Sequence, residues 1–308
     1  MHRPKIAVVP FPEPGIVAAV ERGGGDAAEA VVADGLVWTN PADPGGLKET
    51  LATSPARWVQ LPFAGIEEFV AAGVLDADRT WTCTKGIYGY SCAEHAVALM
   101  LAAARDLKYH AGATNWRGGG LGAPERLLRG AQVLILGAGG IGRELVGLLE
   151  PFGVRTVIVS RSGRTVEGAG SAHAVGDLDR LLPEADYVVL ALALTPETRR
   201  IIDHRRLALM RPTAWLVNVA RGGHVDTDAL VSALRGGGIG GAALDVTDPE
   251  PLPDGHPLWS IGNALITSHV ANTWDMALPE LRAMVERNVA AFAGGGRLEG
   301  LVDVELGY

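Results

Sequence analysis

Three polar residues with complementary chemistry each follow a candidate β-strand in the second half of the chain: Arg221, Glu250 and His269. The forked guanidinium of Arg221 can grip a carboxylate or a carbonyl oxygen, and the side chain of His269 exchanges protons near neutral pH. Glu250 would hold the imidazole and favour its charged form. Taken singly, each could instead be a surface, loop or packing residue. As a set they predict proton transfer at the carbonyl group of an anionic substrate.

A glycine-rich motif follows an uninterrupted apolar run at residues 131–136, which is typical of a strand buried on both faces. The motif has the spacing G-x-G-x-x-G and comprises Gly137, Gly139, Gly140, Ile141 and Gly142. Its first glycine permits a tight turn, the second lets the backbone approach a pyrophosphate, and the third lets helix and strand pack closely. In a chain with 41 glycines the alternative is a compact turn. The strand before it and the helical segment after it favour a dinucleotide site.

The segment after the next candidate strand indicates which nucleotide this site prefers. NAD-binding domains place an acid here, on the hydroxyl groups of the ribose. This chain instead has Ser160, Arg161, Ser162 and Arg164. Hydroxyl and guanidinium groups suit the 2′-phosphate of NADP, which an acid would repel. The alternative is that both arginines are merely solvated. We predict NADP as the cofactor, with NAD as the second choice.

Three stretches around the candidate catalytic residues are specific in their order and context. They are residues 218–222 (NVARG), 244–252 (LDVTDPEPL) and 266–271 (ITSHVA). Here the sequence resembles the D-isomer-specific 2-hydroxyacid dehydrogenases, which include glyoxylate/hydroxypyruvate reductases and phosphoglycerate dehydrogenases, over nearly the whole chain. The resemblance implies that the arginine, glutamate and histidine named above do the chemistry. It also implies cofactor contacts from Thr195, Val219, Ala220 and Asp245.

The resemblance places the substrate carboxylate against backbone amides of residues 61–67 (LPFAGIE). We predict that Ala64 and Gly65 bind it, together with the catalytic arginine and histidine, and Gly65 allows a close approach. Pro62 and Phe63 are bulkier than the residues expected there, which leaves the shape of the pocket open. No metal site is predicted.

A second departure from the family lies at residues 83–90 (CTKGIYGY), where an asparagine and a Pro-Gly pair are usual. Lys85, Tyr88 and Tyr90 could add a charge and hydroxyls that select a larger or doubly anionic acid. A solvated lysine and packed tyrosine rings are the alternative. Trp274 is expected to pack the last helix rather than cap the pocket, and His95 could either approach the site or cap a helix.

The elements that must position these residues alternate between strand-like and helix-like segments. Short β-rich runs before residue 84 predict a first α/β domain, and those after a glycine-rich break at residues 118–122 predict a second, parallel sheet. Between them, residues 91–108 predict one long helix with Ser91 as N-cap and Glu94 completing a capping box. Residues 301–304 could add an edge strand.

These patterns predict an α/β protein of two Rossmann-like or flavodoxin-like domains with doubly wound parallel sheets. The substrate domain would contain residues 1–93 and 275–308, and the dinucleotide-binding domain residues 94–274. The resemblance places the active site in the cleft between the domains. It also suggests a homodimer, and the candidate contact is the Ala-rich helix face of Ala96, Leu99 and Ala103.

The composition limits the partners and the compartment. The chain has 308 residues, 48% of them apolar and 20% charged, and a formal net charge of −8. An acidic balance argues against nucleic acid or an anionic membrane surface as a partner. Two cysteines are too few for a disulfide framework, and the N-terminus turns polar too soon for a signal peptide. We expect a cytoplasmic protein with two free thiols.

Together these features predict hydride transfer between NADP(H) and a 2-oxo acid/D-2-hydroxy acid pair, as in a glyoxylate/hydroxypyruvate-type reductase. One alternative is an NAD-dependent dehydrogenase of the phosphoglycerate or D-lactate type. Ser160 and Arg161 disfavour it, because they stand where an NAD-binding domain has an acid. A less favoured alternative is a nucleotide-sensing, corepressor-like binding protein on the same scaffold. The long tails or peptide-binding features that would indicate it are not visible in the sequence.

Overall fold

The structure, a computed structural model, describes residues 3–116 and 125–305. The glycine-rich break at residues 118–122 lies outside the described residues. The chain divides into two compact units: unit 1 contains Met1–Tyr88 and Trp274–Tyr308, and unit 2 contains Gly89–Thr273. None of the described helices is both long enough and apolar enough to cross a membrane.

Strands and helices alternate along most of the described chain. The strands are β1 (Lys5–Val9), β2 (Asp26–Ala27), β3 (Gly35–Trp38), β4 (Trp58–Gln60), β5 (Thr80–Thr82), β6 (Gln132–Leu136), β7 (Arg155–Ser160), β8 (Ser171–Ala174), β9 (Tyr187–Leu190), β10 (Trp215–Asn218), β11 (Gly241–Leu244) and β12 (Ala264–Ile266). The helices are α1 (Pro14–Arg22), α2 (Pro44–Thr53), α3 (Glu67–Ala71), α4 (Gly89–Ala104), α5 (Leu107–Ala111), α6 (Gly140–Leu149), α7 (Leu178–Leu181), α8 (His204–Leu209), α9 (Thr227–Arg235), α10 (Pro257–Ser260) and α11 (Trp274–Gly294).

Unit 1 is built on a parallel sheet of five strands in the order β2-β1-β3-β4-β5, which is the flavodoxin-like order. Successive residues of a strand point to opposite faces, and here both faces are covered. Leu36 and Trp38 of β3 pack in one core, whereas Val37 packs in the other core with residues of α1 and α11. The sheet is therefore doubly wound.

Unit 2 is built on a parallel sheet of seven strands in the order β12-β11-β10-β9-β6-β7-β8. The order reverses at β6, which pairs with β7 on one side and with β9 on the other. Val133 and Ile135 of β6 pack in one core, and Leu134 and Leu136 pack in the other. This is the Rossmann order with helices on both faces, so the predicted fold class of two doubly wound α/β units is confirmed.

Helix α4 differs from the predicted helix at both ends. It begins at Gly89, so Ser91 lies inside its first turn, and the Ser91 hydroxyl donates to Asn272 Oδ1 at 2.9 Å instead of capping the helix. It ends at Ala104, because Asp106 takes a left-handed backbone conformation (φ 45°) before α5 starts. The predicted capping box and the single helix over residues 91–108 are therefore wrong.

The division between the units also differs from the predicted boundaries at residues 94 and 275. All of α4 belongs to unit 2, where it packs against α6. The two helices approach closely at Gly89, since a Cβ there would lie only 2.8 Å from the carbonyl carbon of Gly140. The absence of a side chain at Gly89 makes this approach possible. Packing of the whole helix thus sets the boundary after Tyr88.

The structure also corrects the predicted dimer contact on α4 and the predicted edge strand at residues 301–304. Ala96, Leu99 and Ala103 are buried within their own chain, so this face of α4 is not available for the predicted dimer contact. The edge strand predicted at residues 301–304 is a single antiparallel bridge between Leu301 and Thr82.

Candidate active site

The predicted catalytic residues lie beyond three neighbouring strands of unit 2. Arg221 follows β10, Glu250 follows β11 and His269 follows β12. Because these strands are parallel, their carboxyl ends meet at one edge of the sheet, where open α/β sheets bind their ligands. Loops from one edge therefore bring the three residues together.

The shortest contact in this group joins the histidine to the glutamate. His269 Nδ1 lies 2.5 Å from Glu250 Oε1, and both side chains remain partly exposed. This hydrogen bond raises the pKa of His269, against the opposing effects of burial and of the Arg221 charge. The same bond lowers the pKa of Glu250. The contact thus favours the charged form of the imidazole and leaves Nε2 as the nitrogen that can face a substrate.

Asp245 holds the loop that carries the histidine. Its carboxylate accepts hydrogen bonds from the Thr267 hydroxyl at 2.6 Å and from the N–H groups of Val270 and Ala271 at 2.9 and 3.0 Å. Its carbonyl accepts the N–H of His269 at 2.8 Å. These bonds keep His269 in a left-handed conformation with φ 53°, which a residue with a side chain rarely adopts.

The fourth partner of this carboxylate is His95 on α4, whose role the sequence left open. His95 Nε2 lies 3.0 Å from Thr267 Oγ1 and 3.3 Å from Asp245 Oδ1. Burial alone would raise the pKa of Asp245, but the hydrogen bonds from these partners outweigh it and hold the pKa well below its usual range. The carboxylate is 2% exposed, so its predicted cofactor contact remains a prediction.

A buried asparagine shapes the loop that carries Arg221. Asn218 is fully buried; its Nδ2 donates to the carbonyl of Arg221 at 2.8 Å, and its Oδ1 accepts the N–H of Ala220 at 3.0 Å. Arg221 Nη1 donates to the carbonyl of Ala220 at 2.7 Å, which orients the guanidinium. Val219 and Ala220, predicted as backbone contacts to the cofactor, are buried within this turn.

The loops bearing the arginine and the glutamate touch at Gly222. A Cβ at Gly222 would lie 1.9 Å from the carbonyl carbon and oxygen of Thr247, three residues before Glu250. Only glycine permits this approach, since the atoms it would displace belong to backbone.

We expect Gly222→Ala to destabilise the protein by about 1–3 kcal/mol, as overpacking does, and to lower activity by moving Glu250 away from His269. Urea denaturation measures the free energy of unfolding, and steady-state kinetics measure the activity. Gly147→Ala in α6 is the control, because its Cβ would meet open space and should stabilise slightly. Equal stability of the two variants would contradict the packing argument.

The glycine motif has the geometry that a dinucleotide requires. Gly137 has φ 126°, and a Cβ on it would lie 2.0 Å from the carbonyl oxygen of Ala191. A Cβ on Gly142 would lie 2.1 Å from the carbonyl oxygen of Gly137, whereas Gly139 faces open space. The turn and the packing each need a glycine, and Gly139 leaves room for a pyrophosphate at the N-terminus of α6, which includes Gly140 and Ile141.

The loop after β7 places its arginines beside this motif. Arg164 donates through Nη2 to the carbonyl of Ala138 and through its backbone N–H to Ser160 Oγ at 3.0 Å. Arg161 and Ser162 are exposed. The arrangement offers hydroxyl and guanidinium groups at the end of β7, next to the glycine turn.

The loop after β9 is held by a histidine that the sequence did not single out. His224 is fully buried, with Nδ1 3.1 Å from the carbonyl oxygen of Thr198 and Nε2 3.1 Å from that of Leu192. It ties the loop of Thr195 to the segment that follows Arg221. The Thr195 hydroxyl itself donates to Glu197 at 2.7 Å.

The predicted substrate loop lies in unit 1, after β4. Ala64 is exposed, and Gly65 is partly exposed. Within the described part of the chain, no hydrogen bond occupies the backbone N–H groups of these two residues. Two adjacent amide donors of this kind suit a carboxylate. The binding of the substrate carboxylate by Ala64 and Gly65 stays a prediction.

Lys85 and Tyr88 of unit 1 follow the alternative of a solvated lysine and a packed ring, whereas the exposed Tyr90, which belongs to unit 2, does not. Tyr88 is 8% exposed, and its hydroxyl donates to the carbonyl of Pro62 at 3.0 Å. Burial raises its pKa above the ordinary range. Lys85 and Tyr90 are exposed, and both cysteines are free thiols.

Sequence patterns alone missed three of the residues that position the site and left the role of a fourth, His95, open. Asn218, Thr267 and His224 act through hydrogen bonds to loops, and His95 reaches its partners from a distant helix. For Asn218 the sequence did contain a signal, because a polar residue at the end of a buried strand indicates a role in shaping the loop that follows. The contacts of the others depend on tertiary packing.

Taken together, the Rossmann sheet, the glycine turn and the arginine, glutamate and histidine at strand ends define a dinucleotide-dependent oxidoreductase. The family model of the NAD-binding domain of D-isomer-specific 2-hydroxyacid dehydrogenases matches residues 97–271. The chain belongs to the D-isomer-specific 2-hydroxyacid dehydrogenase family. It is an NAD(P)-dependent oxidoreductase that acts on a CH–OH group.

Three relatives illustrate the similarity. An uncharacterised protein of Corynebacterium melassecola is 40% identical over 299 residues, which cover 94% of this chain and 95% of that protein. A glyoxylate reductase of Pyrococcus furiosus is 35% identical over 235 residues, 73% of this chain and 69% of the relative. A solved D-isomer-specific 2-hydroxyacid dehydrogenase of Xanthobacter autotrophicus, in complex with NADPH and MES, has a TM-score of 0.84 and 27% identity, with 100% of both chains covered.

Proposed function

We propose that this protein reduces a 2-oxo acid to the D-2-hydroxy acid with NADPH. The observation that carries the proposal is the 2.5 Å contact between His269 and Glu250, at the same sheet edge as Arg221 and the glycine turn. An acid, an anion-binding fork and a nucleotide site are what this reduction needs. Names of relatives such as the Pyrococcus furiosus glyoxylate reductase support the substrate class.

Each of the three residues has a task in the proposed reaction. When bound, NADPH supplies the hydride that reaches the carbonyl carbon of the acid. Arg221 binds the carbonyl oxygen or the carboxylate through its guanidinium. His269 gives its Nε2 proton to the oxygen as negative charge develops there. Glu250 keeps the imidazole charged before the transfer and oriented throughout.

The preference for NADPH over NADH rests on the loop after β7. Arg164 is anchored to the carbonyl of Ala138 inside the glycine turn, so its guanidinium lies near the nucleotide site. Arg161 is exposed nearby, and its charge contributes to a lowered pKa of Glu197, after the larger effect of the Thr195 hydroxyl. The NADPH complex of the Xanthobacter autotrophicus relative is in keeping with this preference.

We expect Arg164→Ala to lower the ratio of kcat/KM for NADPH to kcat/KM for NADH by about tenfold, because one charge-assisted bond to the 2′-phosphate contributes about 1.5–3 kcal/mol. Initial rates with each nucleotide measure the ratio. Arg235→Ala, which removes the same charge from the exposed end of α9, should leave the ratio unchanged. A wild-type preference for NADH would contradict the assignment.

The proposed activity itself is tested by following the absorbance of NADPH and NADH with glyoxylate, hydroxypyruvate, pyruvate and phenylpyruvate. Turnover of any of these acids supports the proposal, and the products of hydroxypyruvate, pyruvate and phenylpyruvate should be the D-enantiomers, since glycolate from glyoxylate is achiral. Absence of turnover with every acid and both nucleotides would overturn it, and tight nucleotide binding without turnover would favour the corepressor-like alternative. The homodimer remains a prediction, for which sedimentation analysis is the measurement.

A further inference from the structure

A cavity of about 360 Å³ lies within unit 1 at the carboxyl end of its sheet. Phe11 and Pro12, which follow β1, line it together with Thr39, which follows β3, and Trp274, which begins α11. The fifth lining residue is Glu13. An apolar cavity of about 150 Å³ is large enough to bind benzene, so this one has room for a ring and its linking carbon.

The oxygen-bearing side chains of the cavity are already engaged. The Thr39 hydroxyl accepts the N–H of Phe11 and donates to the carbonyl of Phe11, both at 3.0 Å. These bonds occupy the donor of the hydroxyl and one of its two acceptor sites, so it has no O–H left to donate to a further polar group. A ligand in this cavity therefore gains little from Thr39 beyond contact.

Glu13 is engaged in the same way. Its carboxylate accepts the N–H groups of Gly15 and Ile16 at 3.0 and 2.7 Å and pairs with Arg282 at 2.5 and 3.1 Å. The bond to Arg282 lowers the pKa of Glu13. The charge is thus present but neutralised, and the surfaces left to a ligand are mainly the rings of Phe11, Pro12 and Trp274.

An aromatic contact joins the cavity to the predicted carboxylate loop. The ring of Phe63 packs edge-on against Trp274, with centroids 5.9 Å apart and planes at 70°. Its other neighbour is Tyr88 at 6.1 Å. Phe63 directly precedes Ala64 and Gly65, whose amides suit a carboxylate. Phe63 therefore links the segment that carries these amides to Trp274, which lines the cavity.

We infer that this cavity binds the side chain of the 2-oxo acid, and that the enzyme prefers acids with a bulky apolar side chain, aromatic or branched aliphatic. The inference rests on the proposed function. Glyoxylate has no side chain to fill the cavity, and the hydroxymethyl group of hydroxypyruvate would meet a threonine without a donor left and a glutamate already paired with Arg282. An aryl group would bury its surface against three rings.

The test compares kcat/KM for phenylpyruvate, 4-methyl-2-oxopentanoate, hydroxypyruvate and glyoxylate with NADPH at saturation. We expect phenylpyruvate to exceed glyoxylate by tenfold or more, in line with what apolar pockets discriminate. A kcat/KM for glyoxylate or hydroxypyruvate equal to or above that for phenylpyruvate overturns the inference and leaves the proposed function standing. No turnover of any acid overturns both.

Two variants locate the effect in the cavity. Phe11→Ala, at a residue 63% exposed and therefore dispensable for folding, should reduce the ratio of kcat/KM for phenylpyruvate to that for glyoxylate at least about tenfold. Trp274→Leu should reduce it in the same direction, with circular dichroism to check the fold. Val31→Ala, at a similarly exposed apolar residue of the same unit, is the control. An unchanged ratio in both cavity variants overturns the inference.

Discussion

His269→Asn should lower kcat for the reduction by about 10² to 10⁴, the usual contribution of a positioned general acid. Asparagine removes the proton donor but tolerates the left-handed backbone (φ 53°) that this position requires. An alanine variant would mix loss of the proton with backbone strain. Stopped-flow measurement of NADPH oxidation under saturating conditions separates the chemical step from product release. A kcat within threefold of wild type would contradict the assignment of the proton donor.

The same prediction has a pH dependence whose sign follows from the Glu250 contact. The hydrogen bond raises the pKa of His269, so the protonated form that reduction requires persists to higher pH and is lost as the pH rises through the raised value. Glu250→Gln removes the carboxylate charge, and the falling limb of kcat/KM against pH should move to lower pH. His269→Asn should abolish that limb. An unmoved limb in Glu250→Gln would show that another group controls it.

Arg221→Lys should lower kcat/KM for the 2-oxo acid by about 10- to 100-fold, although the charge is kept. Lysine presents a single ammonium group and cannot donate to the Ala220 carbonyl and to the substrate in one plane, as the guanidinium can. Loss of a charge-assisted hydrogen bond of about 1.5–3 kcal/mol accounts for the size of the effect. Initial rates over a range of acid concentrations give the value.

The matched control for this variant is Arg199→Lys. Arg199 is an exposed arginine of the same unit that pairs with Asp248 at 3.8 Å, and no role in binding is assigned to it. Its replacement should leave kcat/KM within twofold of wild type, because an exposed ion pair of this kind contributes little. Both variants keep the positive charge, so an equal loss of activity in the two would contradict a specific role for the guanidinium fork of Arg221.

Most of the fold was predictable because its signals are local. The apolar runs of β6 and β9 are the pattern of strands buried on both faces, and the glycine turn between β6 and α6 has a spacing that few other structures require. Errors occurred where tertiary packing decides the end of an element. Helix α4 starts at Gly89, where it lies close to the backbone of Gly140, a contact that no local pattern could indicate.

The candidate site also has features that local sequence signals predict and features that depend on tertiary contacts. That Arg221, Glu250, His269 and the glycine turn share one edge of the sheet was predictable, since each follows a strand and parallel strands end at the same edge. The contacts of the positioning residues were not predictable, because His95, whose role the sequence left open, lies 172 residues from its partner Thr267, and His224 lies 26 residues from Thr198. Such contacts exist only once the helices have packed.

By itself, the sequence determined the class of chemistry, because Arg221, Glu250 and His269 have side chains suited to it at the ends of recognisable strands. The tertiary structure decided the state in which they act. The contact to Glu250 raises the pKa of His269, and Asp245 fixes the loop through four hydrogen bonds made by residues 267, 269, 270 and 271. Distance, burial and orientation control pKa and hydrogen bonding, and these arise when separate segments of the chain fold against one another.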